Sequence, residues 1–170
     1  MAIHLAHSET PPLDWHEQAV QPRSWTAHAP APLGASATAR TRDNQFAALQ
    51  AAYENRGGLA RGDVLATRMS ATGRGGYVDL ARRIVARQLF SFQWRDSFWL
   101  PMFQFDRHLL TLREAPRRVL DELRAALDGW EIAHWYVQRC DGLDGRRPLD
   151  VLELDLDAVL AAARARAVAR

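Results

Sequence analysis

The chain has 170 residues, 48% of them apolar and 25% charged, a balance that suits a globular protein of one ordinary domain or two small ones sharing a core. Its net charge of +2 rests on arginine alone, because the sequence contains no lysine; arginine clusters therefore count by placement and not by number. A single cysteine, Cys140, excludes an internal disulfide and a thiolate metal cluster. With no apolar run of roughly 18 residues and no basic-then-apolar N-terminus, a cytoplasmic protein with no membrane contact is expected.

Residues 1–42 hold five of the prolines and the low-complexity run APAPLGASATART. They lack a sustained helical or alternating pattern and read as a mobile leader, with Trp15 and Trp25 free to dock elsewhere. Regular structure is expected to begin at Asp43 as an N-cap. Phe46, Leu49 and Tyr53 then share one helical face up to Gly57-Gly58. A second short helix fits 60–70 with Val64, Leu65 and Met69 inward. After the linker ATGRGG comes a third over 77–88, burying Val78, Ala81, Ile84 and Val85 and leaving Arg82, Arg83 and Arg87 outward.

The apolar period then shortens. LFSFQW and FWLPMFQF around RDS signal a hairpin, with Phe90, Phe92 and Trp94 on one face. Pro101 inside the second run demotes that strand to an edge. Residues 114–127 return to helix with Val119, Leu120, Leu123 and Leu127 on one side and Pro116 in the first turn. Asp128-Gly129 interrupts, and 130–138 presents Trp130, Ala133, Trp135 and Val137. After the loop GLDGRR, Pro148 opens a helix over 148–154, and Asp155 or Asp157 caps the last one.

Catalysis finds little footing. His108 and His134 are the only histidines beyond the leader, and neither has a second His or Cys at metal-ligand spacing. There is no G-x-S-x-G elbow, H-E-x-x-H pair or Walker loop. No catalytic residue, metal or cofactor is expected, and the chain reads as a non-enzyme.

Nucleic-acid binding fits better. Short helix, turn, Arg-bearing helix and hairpin is the element order of a winged helix-turn-helix, in which the second helix enters the major groove. Arg82, Arg83 and Arg87, with Arg74 in the turn before them, are the candidate DNA contacts. The competing reading makes them the solvated face of an amphipathic helix.

The stretch 130–152 carries a resemblance. Trp135, Leu143, Gly145, Arg146, Arg147, Pro148, Asp150 and Leu152 match in unbroken register the L-G-G-R-R-P-x-D-L-L motif and preceding Trp helix of the MbcA/ParS/Xre-type antitoxins. Trp130 belongs to the same helix. Arg139 and Cys140 stand where that family usually has Pro-Asn. The resemblance covers residues 112–168 and, more weakly, a diverged helix-turn-helix upstream. It implies a small helical toxin-binding domain whose partner is a RES-domain toxin that consumes NAD, and a homodimer that represses its own promoter. A stand-alone DNA-binding regulator is the alternative.

The expectation is thus a mostly α, α+β protein: a leader (1–42), a winged-helix-like domain with a β-hairpin (43–110) and a helical toxin-binding-like domain (111–170). In the loop itself, Gly142 and Gly145 are expected to supply backbone freedom and Leu143 to tuck under the Trp pair. Arg146 and Arg147 are expected to pair with Asp144, Asp150 or the C-terminal end of the preceding helix.

Overall fold

The computed structural model describes residues 33–169, with side chains from residue 38 onward. Trp15, Trp25 and the rest of 1–32 lie outside the described residues. The fold is α+β: seven α-helices and one three-stranded antiparallel sheet. In chain order these are α1 (Leu33–Tyr53), β1 (Leu59–Arg61), α2 (Gly62–Ala71), α3 (Tyr77–Val85), β2 (Phe92–Trp94) and β3 (Ser97–Pro101). Then come α4 (Glu114–Leu123), α5 (Gly129–Val137), α6 (Pro148–Val151) and α7 (Leu156–Val168).

The first helix starts at Leu33, ten residues before the expected cap at Asp43. Its opening turns are rich in alanine, which prolongs a helix already anchored downstream at no side-chain entropy cost and without needing a buried face. The anchor is the expected one: Phe46, Leu49 and Tyr53 are all buried.

Residues 59–61 form a strand, although a helix was expected from residue 60 onward. Leu59 pairs with Pro101, Ala60 with Leu100 and Arg61 with Trp99, while Phe92 and Trp94 pair with Trp99 and Ser97 on the other side. The sheet order β1-β3-β2 makes β3 the central strand, not an edge. Pro101 is tolerated because it is the strand's last residue. Its missing N–H falls at the end of the ladder, and the Met102 N–H resumes pairing to the Gly58 carbonyl at 2.9 Å.

The second and third helices sit at a different rotation from the expected one. Leu65, Ala66 and Met69 are buried in α2, but Val64 is exposed. In α3 the buried residue is Leu80, supported by half-buried Ala81 and Ile84, whereas Val78 and Val85 face solvent. Leu80 and Ile84 are four apart and form their own stripe, and a helix that turns this stripe toward Leu65, Met69 and Leu100 must turn Val78 and Val85 away.

Two buried clusters result. The smaller holds Leu65, Met69, Leu80, Leu89, Leu100, Phe105 and Leu110. The larger runs from Phe46, Leu49 and Tyr53 through Phe90, Phe92 and Phe103 to the apolar faces of α4–α7. Val119, Leu120, Leu123 and Leu127 enter it as expected, and Ile132 and Tyr136 join Ala133 and Trp135 from α5. Aromatic contacts stitch its parts together. Phe46 stacks on Trp94 at 3.9 Å between ring centroids, Phe92 meets Trp130 edge-on at 5.3 Å, and Phe103 meets Tyr136 at 4.7 Å. The Tyr53 hydroxyl donates to the Ala133 carbonyl at 2.8 Å, fixing α1 against α5.

Candidate functional site

The region around the matched motif is built from α5 outward. Asp128 caps α5: its carboxylate accepts from the Glu131 N–H at 2.8 Å, while the Glu131 carboxylate accepts from the Asp128 N–H at 2.9 Å. Gly129 opens the helix because a Cβ there would run into the Ser91 carbonyl, so only glycine lets α5 lie against the entry to β2. Trp135 is buried; Trp130 is half-buried, with the Arg42 guanidinium 5.6 Å from its ring centroid and the His134 ring at 5.1 Å.

Beyond α5 the chain closes a tight loop. The Cys140 N–H donates to the Arg146 carbonyl at 3.1 Å, and the Gly145 N–H donates to the Cys140 carbonyl at 3.0 Å. Asp144 and Gly145 are both left-handed, at φ of 56° and 72°. Gly142 needs no such freedom, contrary to expectation: its φ is not positive, and a Cβ there would make ordinary contacts. Leu143 points down into the large cluster, and Pro148 fixes the start of α6. Cys140 and Arg139 bear on this turn in their own way. Cys140 supplies both backbone groups, and the Arg139 guanidinium donates to the Gly145 carbonyl at 3.0 Å.

The motif's side chains therefore divide. Trp135, Leu143 and Pro148 are buried, whereas Arg146, Arg147 and Asp150 reach the surface. Arg147 grips Asp150 with two nitrogens at 2.6 and 3.1 Å. Arg146 donates to the Leu143 carbonyl at 3.2 Å and stands 3.7 Å from Asp144. Arg56, at the end of α1's 3-10 extension, adds a longer contact to Asp150 at 3.5 Å. Nothing in the local sequence marked that partner, which is 94 positions away. Beside this loop a cavity of about 280 Å³ opens between Arg56, Phe105, His108, Arg113, Leu149 and Glu153, with Arg113 and Glu153 paired at 2.6 Å.

The candidate DNA contacts are spread out. Arg74 is exposed in the turn before α3, and Arg82 is exposed on α3 with Asp79 at 3.3 Å. Arg83, about 100° further round the helix, is half-buried. Arg87 lies past the helix end with φ of 52° and donates toward the Arg124 carbonyl at 3.5 Å, at the far end of α4. They do not form one common face.

Burial raises the Tyr53 and Tyr136 phenols and lowers His134, whose Nε2 is buried without a partner. Backbone N–H groups of Leu109 and His108 lower Asp106, a loop-capping interaction. Among the described residues no group of three His, Cys, Asp or Glu side chains is placed to hold a metal, and no helix is long and apolar enough to cross a membrane. Compared with known proteins, the chain matches no family model, no curated protein and no solved structure.

Proposed function

We propose that the chain is a non-catalytic antitoxin or antitoxin-like protein that binds and neutralises a RES-domain, NAD-consuming toxin. The observation that carries this reading is the closed loop after α5. Its buried Trp135, Leu143 and Pro148 position Arg146, Arg147 and Asp150 at the surface, in the register of the antitoxin motif. Such a loop is a rigid display of charged groups on a packed helical base, which suits recognition of a protein partner more than chemistry on a small molecule. The experiment is co-expression with a RES-domain, NAD-consuming toxin. Co-purification at fixed stoichiometry with suppressed NAD consumption is expected, and Arg146→Glu should break the complex without unfolding the chain. Two proteins that elute separately and leave NAD consumption intact would sink the reading.

A second reading is supported by the order β1-α2-α3-β2-β3 with β3 central, an order that a winged helix would share. On this reading residues 43–110 are a winged-helix-like domain that docks α3 on promoter DNA, with Arg74 and Arg82 as the solvent-facing contacts. Arg82→Ala and Arg74→Ala would then flatten the salt dependence of promoter binding by about one unit each. A wild-type chain that fails to shift its own promoter at low salt excludes it.

A further inference from the structure

Eight large apolar side chains stand exposed among the described residues, and five of them, Val64, Tyr77, Val78, Val85 and Phe98, belong to one unit of α2, α3 and β3. Val85 is 83% exposed, Tyr77 70% and Val78 67%. Val78 and Val85 are seven apart and form a single apolar ridge along α3. Beside the ridge runs a groove of about 350 Å³ between α3, the start of α2 and β3, walled by Tyr77, Val85 and Phe98. Five side chains of this size expose on the order of 600 Å², at the upper limit for a monomer's largest patch and close to the ~800 Å² that each partner brings to a standard interface.

Charge narrows the occupant. Arg82 stands next to the ridge with 72% of its side chain exposed and Asp79 at 3.3 Å, while Arg61, Asp63 and Asp96 line the groove, Arg61 paired with Asp63 at 2.7 Å. The face thus carries both signs, an arginine beside its ridge and, with Asp63 held by Arg61, the carboxylate of Asp96 in its groove. A polyanion laid on it would meet Asp63, Asp79 and Asp96, but a copy of the same face offers each ridge arginine a carboxylate across a two-fold axis. We propose that the α3 ridge and its groove form an isologous interface between two copies of this chain, with Arg82 of each copy facing Asp96 of the other. The interface uses none of the residues around the motif loop, so it stands or falls separately from toxin binding. It covers the α3 face that docking on DNA would require.

Sedimentation equilibrium of the full chain, from low micromolar to submillimolar concentration, reads the proposal directly. A dimer is expected. Val78→Glu combined with Val85→Glu should weaken it about 100-fold or more while leaving circular dichroism unchanged, since both side chains lie in solvent in the single chain, and should remove the concentration dependence of the melting temperature. Leu154→Glu, an exposed apolar residue elsewhere, should leave the dimer intact. Arg82→Asp and Asp96→Arg should each weaken association, and the two together should restore it, a test independent of the apolar variant's behaviour. A monomer at every concentration overturns the proposal. So does a dimer indifferent to the ridge substitutions, or a charge swap without rescue.

Discussion

The side chain of Gln104 pairs with both backbone groups of Phe90: its Oε1 accepts the Phe90 N–H at 2.9 Å, and its Nε2 donates to the Phe90 carbonyl at 3.0 Å. The same Nε2 also donates to the Pro101 carbonyl at 3.1 Å. Gln104 is 3% exposed and is the one buried polar side chain outside the aromatic residues among the described residues. It acts as a missing strand partner for the segment entering β2, which is otherwise a run of buried backbone with no ladder. Gln104→Leu keeps the volume and strands three backbone groups. It is expected to cost about 3–5 kcal/mol in a urea titration, against a few tenths for Gln93→Leu on the exposed side of β2. A Gln104→Leu chain as stable as the parent would show that water replaces these bonds.

Gly129 and Ser91 meet too closely for any side chain between them. Gly129→Ala improves intrinsic helix propensity at the start of α5, and propensity alone predicts a gain of up to about 1 kcal/mol. The close approach wins, because the obstacle is backbone and not a movable side-chain tip. A net loss of about 1–3 kcal/mol is expected from chemical denaturation.

Stability should fall at both ends of the pH scale for reasons that separate by substitution. The Tyr53 and Tyr136 phenols are raised by burial, so their contribution is complete below the ordinary value of about 10 and is lost as pH rises above it. Each tyrosine steepens that loss by about 1.4 kcal/mol per pH unit. Tyr136→Phe should halve the alkaline slope. It should also stabilise the chain at neutral pH by about 1 kcal/mol, because the Tyr136 hydroxyl is buried with no partner. His134 runs the other way: burial lowers it, so stability is complete above about pH 6.5 and declines as pH falls. Urea midpoints compared above and below that pH should differ less in His134→Gln than in the parent.

Within the motif loop two neighbours should respond oppositely to the same kind of change. Asp144 is left-handed with a side chain, so Asp144→Gly should be neutral to stabilising by up to about 1 kcal/mol. Gly145 is left-handed without one, and Gly145→Val should cost about 1–3 kcal/mol although nothing crowds the site. If both shift the thermal midpoint in the same direction, backbone conformation is not what holds this turn.

The helices from α4 to α7 were legible because each carries a local signal. Pro116 and Pro148 sit in first turns, Asp155 caps α7 through the Ala158 N–H at 2.9 Å, and the 119-120-123-127 stripe has no rival. The hairpin was legible from its aromatics. What escaped had non-local causes. Residues 59–61 become a strand only because β3 offers a free edge forty residues later, and their composition says nothing of it. In α3 two apolar stripes overlap, and the neighbours that choose Leu80 over Val78 and Val85 lie on other elements. The motif loop was legible as a turn, and of the partners open to Arg146 and Arg147 the structure brings Asp144 and Asp150; Gly142 does not use the freedom expected of it, and Arg56 enters the loop's surroundings from the far end of α1.

The bond between Tyr53 and Ala133 spans eighty residues, and it has a cost in time. At 5–20 residues per second, a ribosome needs roughly 4–16 s to make the distance between them. For about the first half of that interval Phe46, Leu49 and Tyr53 have nothing to cover them, because the rings they pack on, Phe92, Trp94, Trp99 and Phe103, have not yet been made. A nascent chain that stalls near residue 90 therefore offers a holdase a helix greasy along one side, and messages truncated before α5 should yield aggregates instead of a folded fragment.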